Sequence, residues 1–199
     1  MNNRNYTNNC ILVDFDNTLF FTDEANNNAY KQAIIYYVPN FDLGIFSGIK
    51  RITGKDIKFI LNNELNKSVL DKIISHKRMI VNNYIDMNVI NKNLYDLLYK
   101  LKDDNFIFLV TCGNVERVYS IIKYFNLEFL FSKFIFSKCD DYKYNDIINI
   151  NNSTKVILFE DNINNLIKAS DLGAKKEKLF YVNKNKIINI GEVNKFLLD

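Results

Sequence analysis

The sequence is poor in the residues that most often announce a specialised protein. It has 3 cysteines, 1 histidine and 1 proline. The cysteines, Cys10, Cys112 and Cys139, are odd in number and form no CxxC pair. Neither a disulfide framework nor a zinc site is supported, and a reducing compartment fits. Charge of one sign is also lacking: 26 basic residues face 23 acidic ones, for a net +3. That excess is too small to argue for a nucleic-acid or membrane-surface partner. The densest basic cluster, Lys175, Lys176 and Lys178, reads as a solvated helix end or loop. No segment approaches the roughly 20 apolar residues of a membrane helix. The polar start, Met1 to Asn9, lacks the apolar stretch of a signal peptide. The expectation is a soluble, cytoplasmic protein with no nucleic-acid and no membrane partner.

What is present is ordinary globular chemistry, 48% hydrophobic and 25% charged over 199 residues. That suffices for one domain, or one domain with a sizeable insertion. Three short apolar runs read as buried parallel strands: Cys10 to Val13, Phe106 to Val110 and Val156 to Phe159. Weaker runs lie at Phe134 to Phe136 and Leu179 to Val182. Helical spacing marks Asn114 to Tyr124, and Ile163 to Leu172 ahead of Gly173. Alternating strands and helices predict an α/β fold, a Rossmann-like parallel sheet with helices on both faces. The stretch 20–104 instead carries helical patterns only, at Ala29 to Tyr37, Asp56 to Asn63, Val69 to Asp86 and Asn91 to Leu101. Pro39 breaks the first of these. Asparagine runs such as Asn26-Asn27-Asn28 interrupt these patterns and are given no function.

Ligands of open parallel sheets bind beyond the carboxyl ends of the strands. The first strand is followed by Asp14, Phe15, Asp16, Asn17 and Thr18; the second by Thr111, Cys112, Gly113 and Asn114; the third by Glu160, Asp161 and Asn162. One aspartate after a strand is most often a cap or turn former. Four carboxylates at one sheet edge are a different matter, since such neighbours do not all stay ionised without a cation. Their hard oxygens suit Mg2+, beside which a phosphate becomes acceptable. One of Asp14 and Asp16 can attack phosphorus while the other handles the proton of the leaving oxygen. Thr111 and the amides of Gly113 and Asn114 can hold phosphate oxygens at a helix N-terminus.

The run Ile11-Leu12-Val13-Asp14-Phe15-Asp16-Asn17-Thr18-Leu19 resembles the first motif of the haloacid dehalogenase-like superfamily, a strand followed by Asp-x-Asp-x-Thr. Leu109-Val110-Thr111 resembles its second motif, and Glu160-Asp161 its fourth. The resemblance covers nearly the whole chain. It implies a catalytic core over 1–19 and 105–199, with a small all-helical cap inserted over 20–104. It implies Asp14 as nucleophile, forming an aspartyl-phosphate, and Asp16 as general acid and base. Thr111 would bind the transferring phosphate. Asp161 would hold Mg2+ with the Asp14 side chain and the Asp16 carbonyl, supported by Glu160. Lys143 is the candidate for the family's third-motif lysine, with Lys138 the runner-up. Tyr144 stands where a proline often follows that lysine, and Asn165 where many members carry a second aspartate.

The acid at Asp16 favours phosphoryl transfer over dehalogenation, because a halide leaves without a proton. Sugar-phosphate mutases of the superfamily usually keep a cap histidine near Ala25 to Asn28, where this sequence has none. His76 lies far along the cap and reads as a surface or capping residue. Arg51 is the cap residue chosen to meet an anionic substrate. The expected enzyme is a Mg2+-dependent phosphatase acting on a small phosphorylated metabolite, such as a sugar phosphate, phosphoglycolate or nucleotide. The alternatives are a mutase or nucleic-acid end phosphatase of the same superfamily, or a non-catalytic binding protein on this fold.

Overall fold

The structure is a computed structural model that describes residues 9–61, 65–138, 142–150, 155–184 and 186–193; Cys139 lies outside them. In chain order its elements are β1 (Cys10–Asp14), β2 (Phe20–Phe21), α1 (Asp23–Tyr37), α2 (Gly54–Leu61), α3 (Lys67–Ile80), β3 (Val89–Ile90), α4 (Lys92–Leu101), β4 (Phe106–Thr111), α5 (Val115–Tyr124), β5 (Lys133–Phe136), α6 (Asn145–Ile150), β6 (Val156–Glu160), α7 (Ile163–Asp171), β7 (Leu179–Asn183), β8 (Lys186–Asn189) and α8 (Ile190–Val193). They divide into two compact units, one from residues up to Phe21 and from Ile90 onward, the other Thr22–Val89.

The first unit is built on a six-stranded sheet in the order β5-β4-β1-β6-β7-β8. All pairings are parallel except β7 with β8. Every residue of β1 is buried, as its unbroken apolar run requires of a central strand. One sheet face packs Leu12, Val110 and Leu158 against Leu166 and Ala169 of α7 and against Tyr144 and Ile148. Burying each such aliphatic side chain contributes about 1.5–3 kcal/mol. The five strands expected from sequence are all present. β8 was not foreseen, because its Ile187-Ile188 pair is too short a run to stand out.

Asparagine turns out to have a recurrent structural use. Asn66, Asn91, Asn114 and Asn162 cap α3, α4, α5 and α7, each accepting a backbone N–H of the first turn. The run in α1 is likewise employed. Asn26 Nδ2 donates to the Ile52 carbonyl at 2.8 Å, Asn27 Nδ2 to that of Lys50 at 2.9 Å, and Ile52 N to Asn27 Oδ1 at 2.8 Å. Helix α1 therefore starts at Asp23 rather than at Ala29. It stops at Tyr37, because Val38 precedes proline and takes an extended φ of −137°.

The second unit is helical around Tyr30, Ala33, Ile34, Phe46, Ile57, Leu61, Leu70 and Ile73. The helix expected to run to Asp86 ends at Ile80, and a 3-10 turn with a kink at Tyr84 follows. The unit itself ends at Val89, not at residue 104. Helix α4 belongs with the sheet: the Asn91 amide donates to the Leu19 carbonyl at 2.8 Å, and its side chain to the carbonyls of Thr18 and Lys184 at 3.1 and 3.0 Å. An amphipathic pattern shows that α4 has a buried face, not which core that face meets.

Candidate active site

Asp14 is the last residue of the central strand, and its exposure is 5%. The chain turns sharply after it. Asn17 takes φ +61°, a left-handed conformation that asparagine tolerates. Its amide donates to the Phe20 carbonyl at 2.6 Å, and the Leu19 and Phe20 amides return to the Phe15 carbonyl. This turn brings Thr18 back beneath the strand end, where its hydroxyl donates to Asp14 Oδ2 at 3.0 Å. The other oxygen, Oδ1, accepts from Lys143 Nζ.

Lys143 also reaches Glu160 Oε2 at 2.9 Å, and its side chain is 10% exposed. Lys138, the alternative third-motif lysine, is exposed. Glu160 at the end of β6 is held on all sides. Its Oε2 accepts from the Tyr144 hydroxyl at 2.7 Å and from Asn165 Nδ2 at 3.1 Å, while Oε1 accepts from the Asn162 amide at 3.0 Å. The two residues that depart from the family pattern, Tyr144 and Asn165, thus meet on one carboxylate.

Oxygens of Asp14, Glu160 and Asp161 lie within 4.8 Å of one another. Their electrostatics follow. Burial, then the Glu160 charge, pushes Asp14 up to about 7 despite the opposing Lys143. Burial, then Asp14 and Glu160, pushes Asp161 up to about 8. Burial also acts to raise Glu160, but Lys143 and the Tyr144 and Asn162 hydrogen bonds outweigh it and hold its carboxyl below the usual range. Lys143 is raised: burial opposes its charge, and the two carboxylates more than restore it. Of these three acids, Asp14 and Glu160 share the Lys143 ammonium. Two of the three would rather hold a proton, and a hard divalent cation fits such a set of oxygen donors.

Asp16 is held by a second cation. Arg117 on α5 grips it with both arms, Nη1 to Oδ1 at 2.9 Å and Nη2 to Oδ2 at 2.6 Å. The guanidinium lies over the buried Phe15 ring, 5.5 Å from its centroid. On another side it lies against Gly113, where a Cβ would sit 2.7 Å from Nη2. Gly113 therefore makes room for Arg117, and its amide donates to Thr111 Oγ1 at 2.9 Å. The Asn114 side chain accepts from the Arg117 amide at 3.0 Å.

The structure brings together Asp14, Lys143, Glu160 and Asp161, and it places Asp16 near enough to raise Asp14 further. Arg51 belongs to the second unit, where it donates to Thr22 Oγ1 at 2.8 Å and Asp23 Oδ1 at 2.9 Å. His76 in the same unit sits edge-on to the rings of Tyr36 and Tyr37. Sequence reasoning missed Arg117. The available signal was a lone arginine one residue before Val118, on the buried side of an amphipathic helix.

No protein-family model and no curated protein matches the sequence. Solved structures do match in fold. A haloacid dehalogenase-like family hydrolase from Streptococcus pneumoniae is 15% identical, with TM-score 0.64 over 84% of this chain and 82% of that one. CbbY from Rhodobacter sphaeroides, solved in complex with phosphate, is also 15% identical, with TM-score 0.64 over 85% and 84%. The Bacillus subtilis HAD-hydrolase YfnB, solved bound to magnesium, is 13% identical, with TM-score 0.64 over 96% and 99%. Together with the acidic strand ends, this likeness identifies the fold of the chain as that of the haloacid dehalogenase-like hydrolases.

Proposed function

We propose that this protein is a phosphatase that hydrolyses a small phosphomonoester through an aspartyl-phosphate on Asp14. The observation that carries the proposal is the setting of Asp14: a buried carboxylate at the end of the central strand, with Lys143 on one oxygen and Thr18 on the other. A merely structural aspartate would not justify burying so much charge. Lys143 opposes the rise that burial and Glu160 impose on Asp14, favouring its anionic, nucleophilic form, and offsets charge on the incoming phosphoryl group. Attack by an Asp14 oxygen forms an O–P bond as the bond to the leaving oxygen breaks, and Asp16 supplies the proton to that oxygen. In the second step water attacks phosphorus, its proton passes to Asp16, and Asp14 is released. Thr111 and the Asn114 amide receive the phosphoryl oxygens, and the Gly113 amide, which donates to Thr111 Oγ1, holds that hydroxyl in place.

Asp14, Asp161 and the Asp16 carbonyl would hold Mg2+, with Glu160 in support. The bound cation would neutralise charge between the carboxylates and the phosphate. Arg51 is assigned to substrate recognition by the inserted unit. No helix among the described residues is long and apolar enough to cross a membrane, and the reading places the enzyme in the cytoplasm, on a metabolite.

The test is phosphate release from p-nitrophenyl phosphate with Mg2+, with EDTA, and with Asp14→Asn. Release should require the metal and fall by at least about a thousandfold in the variant. Beryllium fluoride should protect the wild-type protein thermally, as a stand-in for the aspartyl-phosphate, and should not protect the variant. Absence of both turnover and protection would end the proposal.

A further inference from the structure

Asp16 carries two proton transfers in the proposed reaction, and each needs its carboxylate aimed at the reacting oxygen. The geometry points to Arg117 as the residue that positions Asp16 for those transfers; the inference rests on the proposed phosphatase chemistry.

A solvated aspartate samples several rotamers, and only one brings an oxygen to the leaving group. Arg117 removes that freedom with a bidentate grip on both oxygens, the geometry that carries most orientational information. The grip is itself built in. The Arg117 side chain is 8% exposed, so its burial must be repaid by a well-fixed partner. Phe15 bounds the guanidinium, and the absent side chain of Gly113 leaves the space it occupies. Its helix is anchored by the Asn114 cap one turn earlier. Lys143 holds the nucleophile Asp14, and Arg117 holds the proton carrier Asp16.

The leaving oxygen takes a proton from Asp16 as its bond to phosphorus breaks, and how much that proton matters depends on the leaving group. An oxygen that is stable as an anion departs without help, while a basic oxygen does not. Loss of Arg117 should therefore penalise substrates by leaving-group basicity, which a merely structural arginine would not do.

The experiment is kcat/KM with Mg2+ across aryl phosphates from p-nitrophenyl to phenyl phosphate, for wild type, Arg117→Met, Arg117→Lys, Asp16→Ala and the Asp16→Ala/Arg117→Met double variant. For Arg117→Met we expect a loss of about tenfold on p-nitrophenyl phosphate and about a hundredfold on phenyl phosphate, within the range of general acid–base effects. Arg117→Lys keeps the charge without the fork and should fall between, which also covers the case in which Arg117→Met does not fold. Adding Arg117→Met to Asp16→Ala should change rates by less than about twofold, the non-additivity of residues acting as a unit. Equal losses on all substrates, a gain on phenyl phosphate, or additive losses in the double variant would overturn the inference. Failure of wild-type turnover would instead strike the phosphatase reading.

Discussion

The two units bury polarity in different ways. Among the described residues of the helical unit, the buried polar ones are Thr22, Asn26 and Asn88, all neutral. Asn26 and Asn88 tie side-chain amides to backbone carbonyls, as ordinary packing demands. In the sheet unit the buried set includes Asp14, Arg117 and Glu160, with Lys143 almost as deep. A neutral amide can be satisfied inside a protein at little net cost, whereas a buried charge must find a counter-charge and further hydrogen bonds. One unit spends burial on holding loops in place and the other on concentrating charge. That difference sets the strand ends of the sheet unit apart as the place where charge is buried.

The comparison is broken most severely at Lys143. Lys143→Met removes the ammonium that Asp14 and Glu160 share. Turnover should fall by at least about a hundredfold, and stability by about 3–5 kcal/mol, the penalty for leaving buried charge uncompensated. Asn26→Ala in the helical unit removes two neutral hydrogen bonds, to the Ile52 carbonyl and to Asn27 Oδ1. It should cost about 1–2 kcal/mol and leave kcat with p-nitrophenyl phosphate within twofold. Denaturant unfolding and initial rates on the two variants check this, and comparable effects from both would erase the distinction.

A cation should sharpen the contrast in a pH-dependent way. In metal-free protein, burial and mutual repulsion push Asp14 to about 7 and Asp161 to about 8. Both lie above the ordinary aspartate value, so between roughly pH 4 and pH 8 the folded state binds more protons than the unfolded one. Stability in EDTA should fall as pH rises through that window. Lys143 is raised and Glu160 lowered, so their contributions stay nearly constant from pH 5 to pH 8. Mg2+ favours the ionised acids and should flatten the profile. Excess Mg2+ should raise Tm by about 5 °C at pH 8 and about half that at pH 6. An equal rise at both pH values would place the cation away from these acids.

The part of this site that follows strands was legible in the sequence. An apolar run ending in Asp14-Phe15-Asp16, and another ending in Glu160-Asp161, must deliver their acids to the same edge of a parallel sheet. What was illegible depends on contacts between elements distant in the chain. Tyr144 and Asn165 meet on Glu160 although they come from different segments, and each in isolation looked like a lapse from the family pattern. Arg117 was hidden for another reason, since a charge on a helix is usually solvated. The reach of α4 was misjudged because periodicity reports a buried face and not its partner. The two-residue strands β2 and β3 are shorter than any pattern can register.

The smallest expected effect concerns Arg51, the cation chosen from the helical unit. Its Nη1 holds Thr22 and Asp23, and its side chain is 27% exposed. Lys50 lies 3.9 Å from the same Asp23 carboxylate and partly compensates for its loss. Arg51→Ala should therefore cost only about 1 kcal/mol of stability. Its kinetic signature separates recognition from packing. If Arg51 reads an anionic group of the substrate, KM for metabolites carrying a second negative charge rises by about tenfold with kcat unchanged, because binding is lost equally from ground and transition states. The KM of p-nitrophenyl phosphate, which has no second anionic group, stays constant. A KM unchanged across a panel of singly and doubly anionic phosphomonoesters would assign Arg51 to the same work as Asn26, and substrate choice would then have to come from elsewhere in the chain.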